Sequence, residues 1–550
     1  MAIYYIDPDV APGGTGTEVD PYSNWSEVTL GASDTIYFQR GTTHLLTYID
    51  VSQAGVTLDA YGTGQAPILD CTSNGQSYGI IVNALSTIQN LTISGEEQTA
   101  TVAFSGSSTG ATIDNCTITT NQATYGIWVL RPAIIQNCTI TGSKLNGPVI
   151  RFQDTATYTG GSVLNNIINS TATPKTTTTI IGLDIIGWGG ITITGNTFGN
   201  SDGLYRGIQM DSNDNSGQVI QNNTFGSIYD TNIYMQNAAS SNISNNIITS
   251  GQTGIYLLTT DTSRVSYNTI NNTTVNGIVV NNSDSNRIHD NQLTDIWDNV
   301  AYPGGTGEAI QMTFGCTLNK IYRNKFTRCN KAIIDQTTVG GHEIYGNLAV
   351  DSHVNGIDIQ GTGATQTTVT NNTVIHRPSQ DAGHGIVFQV GGVNSDVRFH
   401  NNICYCNIVG ASNVQAYCFA GTYSNLELDN NYYLTDNTAV KIAKHQSTEY
   451  DGTEIAAYLA ALDGDAAILG QSGAGSPEVN SIFQTDGIES TVYNPSYGLV
   501  ANSPAIAVGF KLGIIFYETL GEPIPCTTPD LGAYHSSFSP FHPRQLNGTR

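Results

Sequence analysis

Short segments in which apolar and polar residues alternate recur along most of the chain, and this pattern predicts β-strands rather than helices. Many segments share the form I-x-x-N-x-I/F, with Val or Leu also allowed at the apolar positions. Steps of 22 to 33 residues separate the asparagines of this form, which are Asn166, Asn196, Asn223, Asn246, Asn268, Asn291, Asn324, Asn347, Asn372, Asn402 and Asn431. A repeat of this length is typical of a solenoid. Because Asn tolerates left-handed turns and its amide can bond to an identical amide one layer away, the repeat predicts stacked coils that each turn a corner on an Asn.

A second segment also recurs, in which Gly and Ile are followed by alternating apolar and polar residues, as at Gly207-Ile208 and Gly254-Ile255. It marks another strand of each coil. Two or three strands per coil predict an all-β fold, a single-stranded parallel β-helix of about fifteen coils. We expect an N-terminal cap with entry strands over residues 1–75 and the β-helix over 76–443. A C-terminal capping region with a short helix at 453–462 is expected over 444–550.

The composition narrows the range of expected partners. Only 12% of the residues are charged, the net charge is −24, and polarity comes mainly from amide and hydroxyl side chains. This balance disfavours nucleic acid and anionic membranes and suits sugars. No apolar run is long enough for a spanning helix, so we expect no membrane insertion. The first residues lack the basic and apolar regions of a signal peptide, so we expect either an extracellular protein whose signal peptide has been removed or a virion protein released by lysis.

The nine cysteines include no C-x-x-C pair, and we expect no metal site. Cys116 and Cys138 occupy the turn position that Asn fills in later coils, so we expect them to stack as neighbours. The spacing permits a disulfide, although our preferred interpretation is a ladder of buried free thiols.

Both ends of the chain resemble one superfamily. The segments that carry the resemblance are Tyr4-Tyr5-Ile6-Asp7-Pro8, Gly13-Gly14-Thr15-Gly16-Thr17, Asn502-Ser503-Pro504-Ala505 and Pro529-Asp530-Leu531-Gly532-Ala533-Tyr534. With the coils between them, they resemble the pectate-lyase-like right-handed parallel β-helix superfamily. This resemblance implies a right-handed helix, and resemblance to its phage tailspikes implies a homotrimer. The superfamily also contains polysaccharide lyases, glycoside hydrolases, epimerases and non-catalytic adhesins, so the fold alone does not select a reaction.

The largest step between successive asparagines, from Asn291 to Asn324, predicts a loop that leaves the coils. It contains Trp297 and Tyr302, whose ring faces suit the stacking of sugars, and carboxylates that include Glu308. The alternative is a loop whose Trp side chain folds back onto the coils.

Counting from each asparagine places residues of successive coils in columns with a spacing of about 5 Å. One column consists of Asp295, Arg328, Asp351 and His376. Its charges predict an acid–base site or, equally, a salt-bridge ladder. A second column consists of His289, Tyr322, Tyr345, Thr370 and His400. Its rings predict an outward aromatic stripe suited to a glycan chain.

The outward positions of the Gly-Ile strands form another face, made of Asp184, Gln209, Tyr234, Tyr256, Gln311 and Asp358, with Asp211 and Gln236 beginning a parallel column. This polar groove suits sugar hydroxyls, and the alternative is a set of amides that stack only with one another. Asp335 falls at an inward position, where a carboxylate would have a raised pKa or a partner, and our preferred interpretation is an error in the assumed register.

The segment Asp381-Ala382-Gly383-His384-Gly385 is similar to the Gly-His-Gly motif of polygalacturonases, which implies that His384 contacts substrate. The chain departs from that family because no Asp-Asp pair follows Asp358 and no Arg-x-Lys follows His384. The motif also coincides with the Gly-Ile segment that begins another coil.

We therefore predict a protein that binds and cleaves a bacterial surface or extracellular polysaccharide, as a phage tailspike does. The predicted catalytic residues are Asp295, Glu308, Arg328, Asp351 and His376, and the predicted substrate-binding residues are Trp297, Tyr302, Tyr322, Tyr345, Asp358 and His384. A hydrolase would use two of the carboxylates as acid and base. A lyase would use His376 or Lys320 as the base, and Arg328, Lys325 or Ca²⁺ would neutralise the uronate carboxylate. No cofactor is required, although Ca²⁺ fits the lyase. The alternatives are a non-catalytic glycan-binding adhesin and a pure scaffold.

Overall fold

The computed structural model divides the chain into two compact units, Met1–Ser263 and Arg264–Arg550. The residues that the structure describes are 1–72, 76–96, 99–121, 124–142, 147–171, 180–199, 203–211, 215–297, 307–361, 365–376, 386–390, 393–406, 415–419, 422–429, 432–434, 441–451, 454, 457–458, 460–461 and 468–469.

Each turn of the first unit contains three strands. The first strands are Ile49–Val51, Tyr78–Ala84, Ala100–Ser107, Tyr125–Val129, Ile150–Thr159, Ile181–Gly189, Arg206–Asp211, Thr231–Gln236 and Thr253–Leu258. The second strands are Ile3–Ile6, Thr35–Gln39, Thr57–Tyr61, Thr87–Gln89, Thr112–Asp114, Ile134–Gln136, Ser162–Leu164, Thr192–Thr194, Val219–Gln221 and Asn242–Ser244. The third strands are Thr43–Leu45, Ile68–Cys71, Thr92–Gly95, Thr117–Thr120, Thr139–Gly142, Ile167–Ser170, Thr197–Phe198, Thr224–Phe225 and Ile247–Ile248. A short 3₁₀ helix, Trp25–Glu27, lies near the N-terminus.

The second unit repeats this order. Its first strands are Asn276–Asn281, Glu308–Phe314, Lys331–Thr337, Asn355–Ile359, Ile386–Val390, Gln415–Phe419 and Lys441–His445, the last of which pairs antiparallel with Thr448–Asp451. Its second strands are Arg264–Ser266, Arg287–His289, Lys320–Tyr322, Glu343–Tyr345, Thr367–Thr370, Val393–His400, Thr422–Asp429 and Ile468–Leu469. Its third strands are Thr269–Asn271, Gln292–Thr294, Lys325–Thr327, Leu348–Val350, Thr373–His376, Ile403–Cys406 and Tyr432–Leu434.

Strands of the same rank pair in parallel from one turn to the next, which confirms the predicted parallel β-solenoid. Ile208, for example, pairs with Ile233, which pairs with Ile255, and all three side chains are fully buried. Such columns of apolar side chains form the core of each unit, and burying them stabilises the turns. The described part of the chain contains sixteen third strands, nine in the first unit and seven in the second, which differs slightly from the predicted fifteen coils.

The asparagine ladder is present, and its amides are fully engaged. In the first unit the Asn196 amide nitrogen donates to Asn223 Oδ1 at 3.0 Å and to the Val163 carbonyl at 2.7 Å. The same oxygen of Asn223 accepts the Asn196 backbone N–H at 2.9 Å. Ladder bonds of 2.9 to 3.1 Å also join Asn268, Asn291, Asn324, Asn347, Asn372 and Asn402 in the second unit. These bonds satisfy polar groups that are buried away from water.

The prediction that each ladder Asn itself turns the corner is wrong. The left-handed residue is the one immediately before it, such as Asn222 with φ 55°, Asn245 with φ 56° or Gly346 with φ 62°. The corner therefore uses two residues with separate roles. One adopts the left-handed conformation at the surface, and the next points inward to extend the ladder.

Cys116 and Cys138 are free and buried, as our preferred interpretation predicts. The Cys116 backbone N–H points at the Cys138 sulfur at 3.5 Å, so the thiols take the place of the ladder amides. Burial raises the pKa of the Cys116 thiol well above its ordinary value.

Asp335 points inward, so the assumed register is correct and its interpretation as an error is wrong. The carboxylate is buried and accepts hydrogen bonds from Thr337, at 3.0 Å from its backbone N–H and at 2.7 Å from its hydroxyl. These bonds replace the water that burial removes.

The predicted C-terminal cap lies mostly outside the described residues. Of the predicted helix, Ala457, Tyr458, Ala460 and Ala461 are helical, and the Tyr458 N–H donates to the Glu454 carbonyl at 3.0 Å. In the described part of the chain we find no helix that is long and apolar enough to cross a membrane.

Candidate functional site

The column of Asp295, Arg328 and Asp351 lies in the corner that follows the third strands of the second unit. All three residues adopt left-handed backbone conformations, with φ between 51° and 55°. The Arg328 guanidinium donates two hydrogen bonds to Asp295, at 2.6 and 2.7 Å, and these bonds raise the pKa of Arg328. His376 ends the third strand of the next turn. Of the two predicted roles, the paired charges favour the salt-bridge ladder.

We expect Arg328→Ala and Asp351→Asn to leave catalytic activity unchanged. The Arg328 and Asp295 side chains are 43% and 30% exposed, so solvent screens the pair, and its loss should lower the free energy of unfolding by only about 0.5 kcal/mol. Urea unfolding and release of reducing ends test both expectations. A large loss of activity with an intact fold would instead support the predicted catalytic role of Asp295, Arg328 and Asp351.

Trp297 folds back onto the coils, as the alternative interpretation of its loop proposes. Its ring stacks on the His353 imidazole, with a centroid distance of 4.1 Å and an interplanar angle of 17°. One ring face is therefore already occupied. Tyr302 and His384 lie outside the described residues.

Glu308 and Asp358 lie on first strands of the second unit among fixed polar partners. The Asn276 amide, oriented with its nitrogen toward the carboxylate, donates to Glu308 at 2.8 Å. Asp358 is fully buried and accepts hydrogen bonds from Asn355 and Gln360 at 2.7 Å and from Lys331 at 3.2 Å. Burial raises the pKa of Asp358, and the nearby Lys331 ammonium opposes that shift. These contacts stabilise the strand face, and they place Asp358 in a polar cluster apart from Tyr322 and Tyr345 on the second strands.

The first unit contains a stronger candidate, which we call the Asp184 face. It is the outward column of successive first strands and consists of Trp128, Arg151, Asp184, Gln209, Tyr234 and Tyr256. Strand register fixes this order, because each residue is the Cα partner of the next. Neighbouring side chains are therefore about 4.8 Å apart along the solenoid, roughly the spacing of sugar rings in an extended chain.

Aromatic rings lie at both ends of the Asp184 face. The ring centroids of Trp128 and Tyr125 are 5.6 Å apart, and those of Tyr234 and Tyr256 are 5.5 Å apart in a stacked pair. The Arg206 guanidinium lies over the Tyr234 ring, 4.3 Å from its centroid. Such rings combine apolar faces with polar edges, which is the combination that pyranose rings contact.

Asp184 lies between these rings with an unusual electrostatic environment. Burial raises its pKa to about 6, although the Arg151 guanidinium, 3.2 Å from Oδ2, favours the charged form. The Asp211 carboxylate also raises the pKa of Asp184, because two like charges repel. Arg151 is fixed in turn by the Tyr125 hydroxyl, at 2.8 Å from Nη1.

In three successive turns, one side chain of this column has a buried polar atom. None of these three atoms has a hydrogen-bond partner among the described residues. These atoms are Trp128 Nε1, Arg151 Nε and Asp184 Oδ1. Buried polar atoms are normally bonded, so three unbonded ones in a single column require an explanation.

Asp211 supplies a second carboxylate on the same face. Asp184 is paired with Gln209, and Asp211 lies two residues further along that strand with its side chain exposed. One inter-strand step and two residues along the strand separate the two Cα atoms by about 8 Å. The pair therefore combines a buried carboxyl of raised pKa with an accessible carboxylate.

Sequence reasoning found Asp184, Gln209, Tyr234 and Tyr256 but missed Trp128 and Arg151. The signal was available, because Trp128 follows Gly126-Ile127 in the same way that Gln209 follows Gly207-Ile208. Two residues before Arg151 the chain has Val149, where other first strands have the marker glycine. The column therefore becomes continuous only when the strand register is known.

No group of three or more His, Cys, Asp or Glu side chains that could hold a metal ion occurs within the described ranges. The predicted option of Ca²⁺ stays a prediction.

Comparisons with known proteins give several distant similarities. A family model described as periplasmic copper-binding protein (NosD) matches residues 168–345, which is less than half of the chain. Curated proteins give no match.

Among solved structures, the chain is similar to pectate lyase Pel9A, with 16% identity over 98% of this chain and 97% of that chain and a TM-score of 0.24. It is similar to the catalytic domain of a GH87 alpha-1,3-glucanase, with 13% identity over 62% and 60% of the two chains and a TM-score of 0.31. An alginate lyase from Paenibacillus sp. gives 12% identity over 62% and 88% and a TM-score of 0.21. TM-scores this low carry no argument about the reaction that this chain performs.

Proposed function

We propose that the chain is a carbohydrate-active β-solenoid that binds a polysaccharide along the Asp184 face and hydrolyses it there. The observation that carries the proposal is the pair of Asp184, whose pKa is raised to about 6 by burial, and the exposed Asp211 on the same face. Two carboxyl groups in contrasting environments are the acid and base that glycoside hydrolysis requires.

In this proposal protonated Asp184 donates its proton to the glycosidic oxygen as the bond to the leaving sugar breaks. Asp211 removes a proton from the water that attacks the anomeric carbon from the other side. In an inverting reaction of this kind the two carboxyl groups lie roughly 6.5–9.5 Å apart, which admits the attacking water. The aromatic residues at both ends hold the sugars on either side of the cleaved bond.

The proposed reaction is tested by measuring reducing ends and absorbance near 235 nm in parallel on a panel of bacterial polysaccharides. Hydrolysis gives new reducing ends without absorbance, and this is the expected result. New ends accompanied by absorbance would identify a lyase. Binding without new ends would identify the adhesin, and neither binding nor cleavage would leave a scaffold.

The rate should depend on pH through Asp184. A general acid must be protonated, so kcat/KM should fall as pH rises through about 6. Because Arg151 lowers the pKa of Asp184, Arg151→Gln should move this decline to higher pH. A pH profile of kcat/KM for both proteins tests the assignment. An unchanged decline in Arg151→Gln would exclude Asp184 as the titrating group.

Attachment to a phage tail and homotrimeric assembly rest on sequence resemblance alone. Both stay predictions, which electron microscopy of virions and the sedimentation mass of the purified chain can test.

A further inference from the structure

Tyr267 occupies an unfavourable backbone conformation with its side chain exposed. It adopts φ 58°, in the corner position that Asp290, Arg323, Gly346, Asn371 and Asn401 occupy in later turns of the same unit. A left-handed conformation is costly for a bulky side chain, whereas Gly and Asn adopt it readily. The Tyr267 side chain is nevertheless 50% exposed, so burial in the core does not explain its presence. Strain of this kind is often retained for function.

The Tyr267 ring is held in a fixed orientation. Burial and the nearby Asp290 carboxylate raise the pKa of Tyr267, and its ring meets the His289 imidazole edge-on, with a centroid distance of 5.8 Å and an angle of 83°. His289 stacks on Tyr322 at 4.6 Å. Asp290 is itself bound by Arg323 Nε at 2.9 Å and by His289 Nδ1 at 2.6 Å. The ring is therefore preorganised before any ligand arrives.

Cations lie beside this ring. Arg264, Arg287 and Lys320 are successive Cα partners on neighbouring second strands. Lys320 is neutralised by Glu343, with both carboxylate oxygens at 2.9 Å. Arg264 and Arg287 are exposed, and the salt bridges found within the described ranges include neither of them. The Arg264 guanidinium lies 6.0 Å from the Tyr267 ring centroid.

Two adjacent arginines that form no salt bridge with any described carboxylate are unusual in a chain whose net charge is −24. Arg264 and Arg287 lie on neighbouring strands about 4.8 Å apart, so their like charges repel each other, and an anionic ligand between them would relieve that repulsion. Guanidinium groups bind carboxylates and sulfate esters through paired hydrogen bonds, and an exposed tyrosine ring packs against the apolar face of a sugar.

We propose that Tyr267, Arg264 and Arg287 form a binding site for an acidic saccharide, with the sugar ring on Tyr267 and its carboxylate or sulfate on the arginines. This site lies on the second strands of the second unit and does not depend on cleavage at Asp184. Nucleic acid is the competing polyanion, and the titration described below distinguishes it from an acidic saccharide. The site would hold an acidic polymer independently of the reaction.

The test is isothermal titration of the full chain with three tetrasaccharides. Tetragalacturonate supplies carboxylates, a sulfated carrageenan tetrasaccharide supplies sulfate esters, and maltotetraose is the neutral control. We expect an acidic tetrasaccharide to bind at least about tenfold more tightly than maltotetraose, and Tyr267→Asn or Arg287→Gln to lower that affinity about tenfold. Which acidic probe binds more tightly identifies the anionic group.

Lys444→Gln is the matched control, because it removes a positive charge from the first strand Lys441–His445 of the same unit and leaves the second strands unchanged. Its affinity should equal that of the unmodified chain. Tyr267→Asn should keep or raise the melting temperature, since Asn tolerates the corner conformation, so its loss of binding would not reflect misfolding. Equal affinities in all variants, or equally tight binding of an oligothymidylate of the same charge, would overturn the proposal.

Discussion

Asp184→Asn is expected to lower the rate of reducing-end release by about 10³-fold, because an amide cannot donate the proton that the leaving oxygen needs. The substitution preserves shape and hydrogen-bonding capacity next to Arg151, which lies 3.2 Å from the carboxylate. Binding of the polysaccharide should therefore change little, so the loss should appear in kcat and not in KM. Initial rates over a range of substrate concentrations measure both constants.

Asp351→Asn is the matched control for this result. Asp351 is also a buried carboxylate, but it lies in the second unit, in the corner that contains the Asp295–Arg328 salt bridge. We expect its rate to stay within about twofold of that of the unmodified chain, since it lies outside the Asp184 face. Full activity of Asp184→Asn together with an inactive Asp351→Asn would reverse the two assignments.

Asn223→Ala is expected to lower the local free energy of unfolding by about 3 kcal/mol or more, because it leaves buried polar groups without partners. The Asn223 amide oxygen accepts two bonds from Asn196, and its nitrogen donates to Asn246 at 3.0 Å and to the Ile193 carbonyl at 2.9 Å. Hydrogen exchange at the amides of the neighbouring turns measures the effect locally, which suits a repeat protein that unfolds in parts.

The neighbouring residue provides the control for this substitution. Asn222 adopts φ 55° at the exposed corner, and Gly adopts that conformation freely, so Asn222→Gly should change the free energy of unfolding by about 0.5 kcal/mol or less. If Asn223→Ala were as mild as Asn222→Gly, the stacked amides would not be a main source of stability.

The parallel solenoid and its ladder were predictable because both depend on a repeat that is visible in the chain. The spacing of Asn196, Asn223 and Asn246 identifies stacked turns, and the amide chemistry predicts the bonds between them. Which of two adjacent asparagines turns left-handed was not predictable, because Asn222 and Asn223 have the same intrinsic tolerance of that conformation. Their different burial in the folded chain decides it.

The candidate site was less predictable, because charge density was a poor guide to it. Arg328 and Asp295 stood out in a chain with few charges, yet they neutralise each other. Asp184 was unremarkable as one polar residue of a column, since its raised pKa follows from burial that only the fold creates. Arg151 became part of the site only through the register that makes it the partner of Asp184.

The most direct test of the proposed site is the crystal structure of Asp184→Asn soaked with an oligosaccharide released by the unmodified chain. We predict a saccharide that lies along the column from Trp128 to Tyr256, with a glycosidic oxygen within hydrogen-bonding distance of residue 184 and a water beside Asp211. A saccharide bound instead across Asp295, Arg328 and Asp351, with the Asp184 face unoccupied, would contradict the assignment.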